Sequence, residues 1–179
     1  SNRFISSTSK IILASGAEQN TNYKFLDSGS AYFLADEVMR GTGFAPLMLA
    51  RAERRPAPLV IIGGSHSTFA ICALLLERFG SDFREGDICI LHRTDVRLNY
   101  PCIESARIDK YPFSPSTDVC PETGQINRFG GLRSYAKQLY LDIKAGKERR
   151  IKLIKVGPEI ASDLGRCFPN SCIIDATGY

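Results

Sequence analysis

The run Gly63-Gly64-Ser65-His66-Ser67-Thr68 holds residue types that can receive a diphosphate. It follows Leu59-Val60-Ile61-Ile62, a continuous apolar run with the length and β-branched character of a central parallel strand buried on both faces. It leads into Thr68 to Phe79, a strongly apolar segment that closes at Gly80 as a helix does. A glycine-rich turn between such a strand and helix binds diphosphate for two reasons: the helix's first N–H groups lack an intrahelical acceptor, and its dipole is positive there. Gly63, Ser65 and Thr68 take the three fingerprint places, giving GxSxxT where GxGxxG is usual. The hydroxyls of Ser65, Ser67 and Thr68 offer further donors to phosphate, and His66 lies either over the diphosphate or in solvent. The alternative is a turn of the same shape that holds no ligand.

Asp87 to Leu91 supplies a second apolar strand, so strand, turn, helix and strand form a βαβ unit. The end of that second strand normally discriminates between nicotinamide cofactors, because a carboxylate there accepts hydrogen bonds from the ribose 2′-hydroxyl of NAD. Here the chain reads His92-Arg93, with Thr94 and Arg97 just beyond. Arginine grips phosphate through a planar fork, so Arg93, Thr94 and Arg97 suit the 2′-phosphate of NADP(H). The competing reading is a set of exposed arginines, with Asp95 near enough to neutralise one of them.

The elements around this unit predict an α/β fold, a Rossmann-like parallel sheet with helices on both faces. Ile11 to Ala14 reads as an entry strand running into Ser15-Gly16-Ala17. Residues 18–56 read as a helical lead-in, with helices over Ala31 to Arg40 and Phe44 to Arg54, ended by Arg55-Pro56-Ala57-Pro58. Residues 98–130 carry Pro101, Pro112, Pro115 and Pro121 with little periodicity, which suggests a functional stretch or one docked onto something, a missing partner surface being one candidate. Leu132, Tyr135, Ala136, Leu139, Tyr140 and Ile143 make an amphipathic helical stripe. Ile151 to Val156 and Cys172 to Ile174 read as further strands, the last leading into Asp175-Ala176-Thr177-Gly178-Tyr179. The domain division is 1–17 as a linker strand, 18–56 as the lead-in and 57–179 as the dinucleotide-binding unit.

Composition narrows the partners. Hydrophobic residues at 44% and charged residues at 23% suit a soluble globular domain, and a net charge of +4 is too modest to point to nucleic acid. The basic residues from Lys144 to Lys155 read as a solvated rim. No run has the length of a membrane span and Ser1 to Asn20 lacks a signal-peptide pattern, so the expected location is the cytoplasm. The six cysteines show neither CxxC pairs nor neighbouring histidines, which excludes a metal centre and predicts reduced, mostly packed thiols. With His66 and His92 as the two histidines, a hydrolase or metalloenzyme constellation is also excluded, and no general acid or base is assigned.

Three segments resemble the flavin-dependent monooxygenase-like FAD/NAD(P) oxidoreductases. Val60 to Thr68 looks like that family's NADP-binding turn, Cys172 to Tyr179 like its ATGY segment and Ile11 to Ala17 like its earlier ATG-type strand. In such enzymes the last two are the links by which the chain leaves and re-enters the FAD domain. The resemblance implies that Ala176, Thr177 and Gly178 border the cofactor. It also implies that the missing FAD-binding domain belongs to the same polypeptide, and that this chain alone is inactive. NADPH would reduce the flavin, and the flavin would pass electrons to oxygen or another acceptor in the oxidation of a small-molecule substrate. Two other readings stay open. One is a lone Rossmann methyltransferase or dehydrogenase. The other is a protein-docking module built on the proline-rich stretch.

One βαβ turn cannot serve two dinucleotides at once. The purified chain is therefore expected to be colourless, and stoichiometric flavin absorbance would contradict this reading.

Overall fold

The computed structural model describes residues 29–157 and 164–177. Five strands form one parallel sheet in the order β1-β5-β2-β3-β4: β1 (Ala31–Leu34), β2 (Leu59–Ile62), β3 (Ile88–His92), β4 (Ile151–Lys155) and β5 (Cys172–Asp175). Val60 of the central β2 is in register with Cys89 on one side and Ile173 on the other. The helices are α1 (Ala35–Met39), α2 (Phe44–Glu53), α3 (His66–Phe79), α4 (Ile103–Ile108), α5 (Ser134–Lys144) and α6 (Leu164–Cys167).

Handedness explains where the helices lie. The steps β1 to β2, β2 to β3 and β3 to β4 all move in one direction across the sheet, and right-handed crossovers put their helices on one face. The step from β4 to β5 moves back, so its connection crosses the other face. The packing agrees. Leu59, Ile61, Ile88, Ile90 and Ile174 point to a layer formed by Val38, Leu47, Phe69, Leu75 and Ala136. Val60, Ile62, Cys89, Leu91 and Ile173 alternate to the opposite face and meet Leu164 and Phe168 of the returning connection. All four residues of β2 are buried. Each such aliphatic side chain contributes about 1.5–3 kcal/mol. The predicted α/β sheet is therefore present, with the helices shared unequally between its faces.

The lead-in differs from the sequence reading. Ala31–Leu34 is not the first turn of a helix but the edge strand β1, and α1 starts at Ala35. Tyr32 and Phe33 favour strands, and the free side of β5 offers them a full backbone ladder, which outweighs local helical periodicity. The expected entry strand at 11–14, the turn at 15–17 and most of the polar link lie outside the described residues.

Residues 98–130 meet a docking surface within the chain, not on a missing partner. The stretch docks on its own domain. Tyr100, Ile126 and Leu132 are buried in the main core, and bridges join Tyr100 to Ile126 and Leu98 to Leu132. Asn127 Nδ2 donates to Leu98 O and to Tyr111 Oη, both at 3.1 Å, and Tyr111 Oη accepts from Leu98 N at 3.1 Å. The four prolines sit on the surface, where a missing N–H costs nothing. The basic rim is mostly exposed, although Arg150 is clamped by Glu148 at 2.6 Å. Among the described residues, no helix is long and apolar enough to cross a membrane.

The six cysteines are free thiols. Burial pushes the Cys72, Cys89 and Cys172 thiols up. Cys120 differs: hydrogen bonds from Thr123 and then from the Arg128 guanidinium, whose Nη1 lies 3.5 Å from Sγ, bring its thiol down to about 7. The thiolate is the nucleophile, so iodoacetamide labelling of Cys120 should rise with pH and reach half its maximum near 7. Peptide mass spectrometry should find Cys72, Cys89 and Cys172 unlabelled while the chain is folded. Labelling of Cys120 no faster than Cys89 at neutral pH would contradict this assignment.

Candidate functional site

The strand order reverses between β2 and β5, because the chain leaves β2 toward β3 but returns to the other side of β2 as β5. At such a switch point the connections diverge and leave a crevice at the strands' carboxyl ends. A cavity of about 360 Å³ opens there. Its walls include Gly63, Gly64 and Ser65 after β2, Arg93, Thr94 and Arg97 after β3, and Ala176 and Thr177 after β5. Three segments far apart in sequence, each singled out by its residue types, thus border one space.

Gly63 makes this geometry possible. Its φ of +138° is rarely adopted by residues with side chains, and a Cβ there would lie 2.6 Å from Ala176 O and 2.8 Å from Thr68 Oγ1. The backbone is pinned on both sides: Gly63 N donates to Leu91 O at 2.9 Å and Ala176 N to Ile62 O at 2.8 Å. Gly64 runs close to β3, where a Cβ would lie 3.3 Å from His92 Cβ, and this sets the turn beside the segment that begins at Arg93.

Ser65 is the extended N-cap of α3, and its side chain makes no capping bond. Among the described residues the amides of Gly64, Ser65, His66, Ser67 and Thr68 meet no acceptor. A fourteen-residue helix directs its positive end into this corner. Unpaired donors of this kind at a solvent-open crevice fit an anion of the size of a diphosphate.

The remaining turn residues have other surroundings. His66, Ser67 and Thr68 do not line the cavity. His66 Nε2 accepts from Arg133 N at 3.1 Å, which ties the start of α3 to the N-cap of α5. Thr68 is fully buried beneath Gly63, and its hydroxyl has no partner among the described residues. It occupies the place where a third glycine would bring helix and strand together. Gly178 lies outside the described residues.

The charges are arranged for an anion. Arg93 and Arg97 are exposed, and neither is paired with a carboxylate among the described residues. Asp95 is paired elsewhere: Lys155 Nζ donates to its Oδ1 at 2.7 Å, and that bond holds its carboxyl below the usual carboxylate range. His92 Nδ1 lies 2.9 Å from Thr94 O and steadies the bend that follows β3.

Sequence reasoning missed several contributors. Asp175 is completely buried at the end of β5. Its Oδ1 accepts from Thr177 N at 3.0 Å and Thr177 Oγ1 at 2.7 Å, and its Oδ2 from Tyr32 Oη at 2.6 Å. A buried carboxylate is costly without such donors, and with them it fixes the wall formed by Ala176 and Thr177. Gly130, Val156 and Leu164 also line the cavity. The paired glycines at 130 and 131 were a usable signal: a Cβ at Gly131 would lie 2.5 Å from Asn99 N.

With this geometry in hand, comparison with known proteins adds one relationship. Over 129 residues, 71% of this chain, the sequence is 30% identical to the CMP-5′-(3-aminopropyl)phosphonate hydroxylase of Streptomyces rubellomurinus (strain ATCC 31215). The chain spans 28% of the length of that protein. No family model matches the chain. No solved structure matches it.

Gly63→Ala should force β2 and β5 apart at their carboxyl ends and cost about 1–3 kcal/mol of stability. Urea denaturation, with the backbone amide signals of Ala176 and Thr177 as a local probe, checks this. Unchanged stability and unchanged amide positions would show that the contact does not shape the crevice.

Proposed function

We propose that this crevice binds NADP(H), and that the chain is the NADP(H)-binding domain of a flavin-dependent oxidoreductase, a hydroxylase by its relationship. The observation that carries the reading is one cavity bordered both by Gly64 and Ser65, whose amides meet no acceptor among the described residues, and by Arg93 and Arg97. The amides of Gly64 to Ser67 and the Ser65 hydroxyl take the diphosphate, and Thr68 supports the turn from beneath. Arg93, Thr94 and Arg97 take the 2′-phosphate. The Ala176–Thr177 wall, set by Asp175, borders the cofactor on the β5 side. Bound there, NADPH supplies a hydride.

The relationship to the Streptomyces hydroxylase supports an oxidative reaction on a small molecule, since hydroxylation by oxygen consumes reducing equivalents. In this reading another domain of the same polypeptide would hold FAD, which would accept the reducing equivalents. The residues of this chain exclude water from one side of the cofactor and orient it; none is assigned as a general acid or base.

Calorimetric titration of the chain should give tighter binding of NADP⁺ than of NAD⁺. Arg93→Ala should weaken NADP⁺ binding by about 1.5–3 kcal/mol, the range for a hydrogen bond to a charged group, and leave NAD⁺ nearly unchanged. Equal affinity of the unaltered chain for both cofactors would overturn the 2′-phosphate assignment.

A further inference from the structure

Asp95 is a misplaced charge in a cleft read as anion-binding. It lines the same cavity as Arg93 and Arg97, lies between them in sequence and carries a negative charge. Unrestrained, its carboxylate would either pair with one of those arginines or repel a phosphate held by them. The structure holds it from outside the cleft's arginine set. Lys155 is the last residue of β4 and the register partner of His92, so its side chain starts beside the segment that leaves β3. Its ammonium reaches Asp95 Oδ1 at 2.7 Å. It lines the neighbouring groove, of about 1250 Å³, but not the candidate cofactor cavity itself.

The pair has little to do with stability. Its two side chains are 56% and 85% exposed, and exposed ion pairs contribute almost nothing to folding. Its position is what matters. We propose that Lys155 is a specificity-determining residue: by engaging Asp95 it leaves Arg93 and Arg97 available to a 2′-phosphate, and so sustains a preference for NADP over NAD. This rests on the reading of the crevice as an NADP(H) site. The lowered proton affinity of Asp95 is consistent with the engagement. His92, Arg93 and Arg97 are the other charged or titratable groups of the segment, and Tyr140 of α5 also feels the Asp95 charge; among the described residues none of them donates to the Asp95 carboxylate.

The test is the ratio of NADP⁺ to NAD⁺ affinity, measured by calorimetry on the full chain at low ionic strength. Lys155→Ala should lower that ratio by about 2- to 5-fold, the scale of an exposed charge pair. Asp95→Asn should leave the ratio at or above that of the unaltered chain, and Asp95→Asn combined with Lys155→Ala should restore it. A structural defect would weaken both cofactors alike and leave the ratio alone. An unaltered ratio in Lys155→Ala would overturn the inference while leaving the cofactor reading intact. A ratio equally low in the double variant would also overturn it, because Lys155 would then act on the phosphate itself. The absence of any NADP⁺ preference in the unaltered chain would overturn the cofactor reading and this inference together.

Discussion

The architecture turns on the contact between Gly63 and Ala176. Two parallel strands end side by side there, β2 running on into α3 and β5 into Ala176–Thr177. A side chain at position 63 would collide with the carbonyl of Ala176, so the crevice exists in this form because residue 63 has none. The contact has a second effect. With Gly63 seated against β5, the amides that follow it meet no protein acceptor among the described residues. The same constraint therefore shapes the cavity and supplies its donors.

A buried carboxylate supports that corner from the other side. Asp175 receives the amide and hydroxyl of Thr177 and the hydroxyl of Tyr32, so the edge strand β1 is coupled to the cleft through a single side chain. This gives the lead-in a role beyond extending the sheet. Further along the crevice, His66 couples α3 to the N-terminus of α5, and the segment between Asn127 and Arg133 brings Gly130 to the cavity wall. Elements from almost every part of the described chain converge on one end of the sheet, while Arg51 and Asp87, paired at 2.6 Å, fasten α2 to the loop before β3.

The features legible in the sequence are those set by short-range pattern. The apolar run at 59–62 could only be a buried strand, and a glycine pair between it and an apolar helix could only be a tight turn, so β2, α3 and the Gly63–Ser65 segment were readable. The arginines after β3 were readable because strand ends are easily placed once the βαβ unit is recognised. What escaped depends on partners distant in the chain. Ala31–Leu34 becomes a strand because β5 lies beside it, more than a hundred residues later. Asp175 and Tyr32 meet across the same gap. Thr68 resembles a phosphate donor in sequence but is taken beneath Gly63 by the helix's rotation. Asp95 looked able to quench an arginine, and nothing local reveals that Lys155 holds it. The surface on which the proline-rich stretch docks was not readable because its anchors, Tyr100, Ile126 and Leu132, are isolated and follow no period.

Under the proposed function, the switch-point crevice holds a phosphorylated dinucleotide by the amides after Gly63 and the arginines after β3. Amide-resolved NMR titration of the chain with NADP⁺ tests it most directly. The account predicts large saturable shifts at Gly64 to Ser67, at Arg93 to Arg97 and at Ala176 and Thr177, with little change on the β1 edge or around Cys120. Shifts centred elsewhere, or none at saturating cofactor, would contradict it.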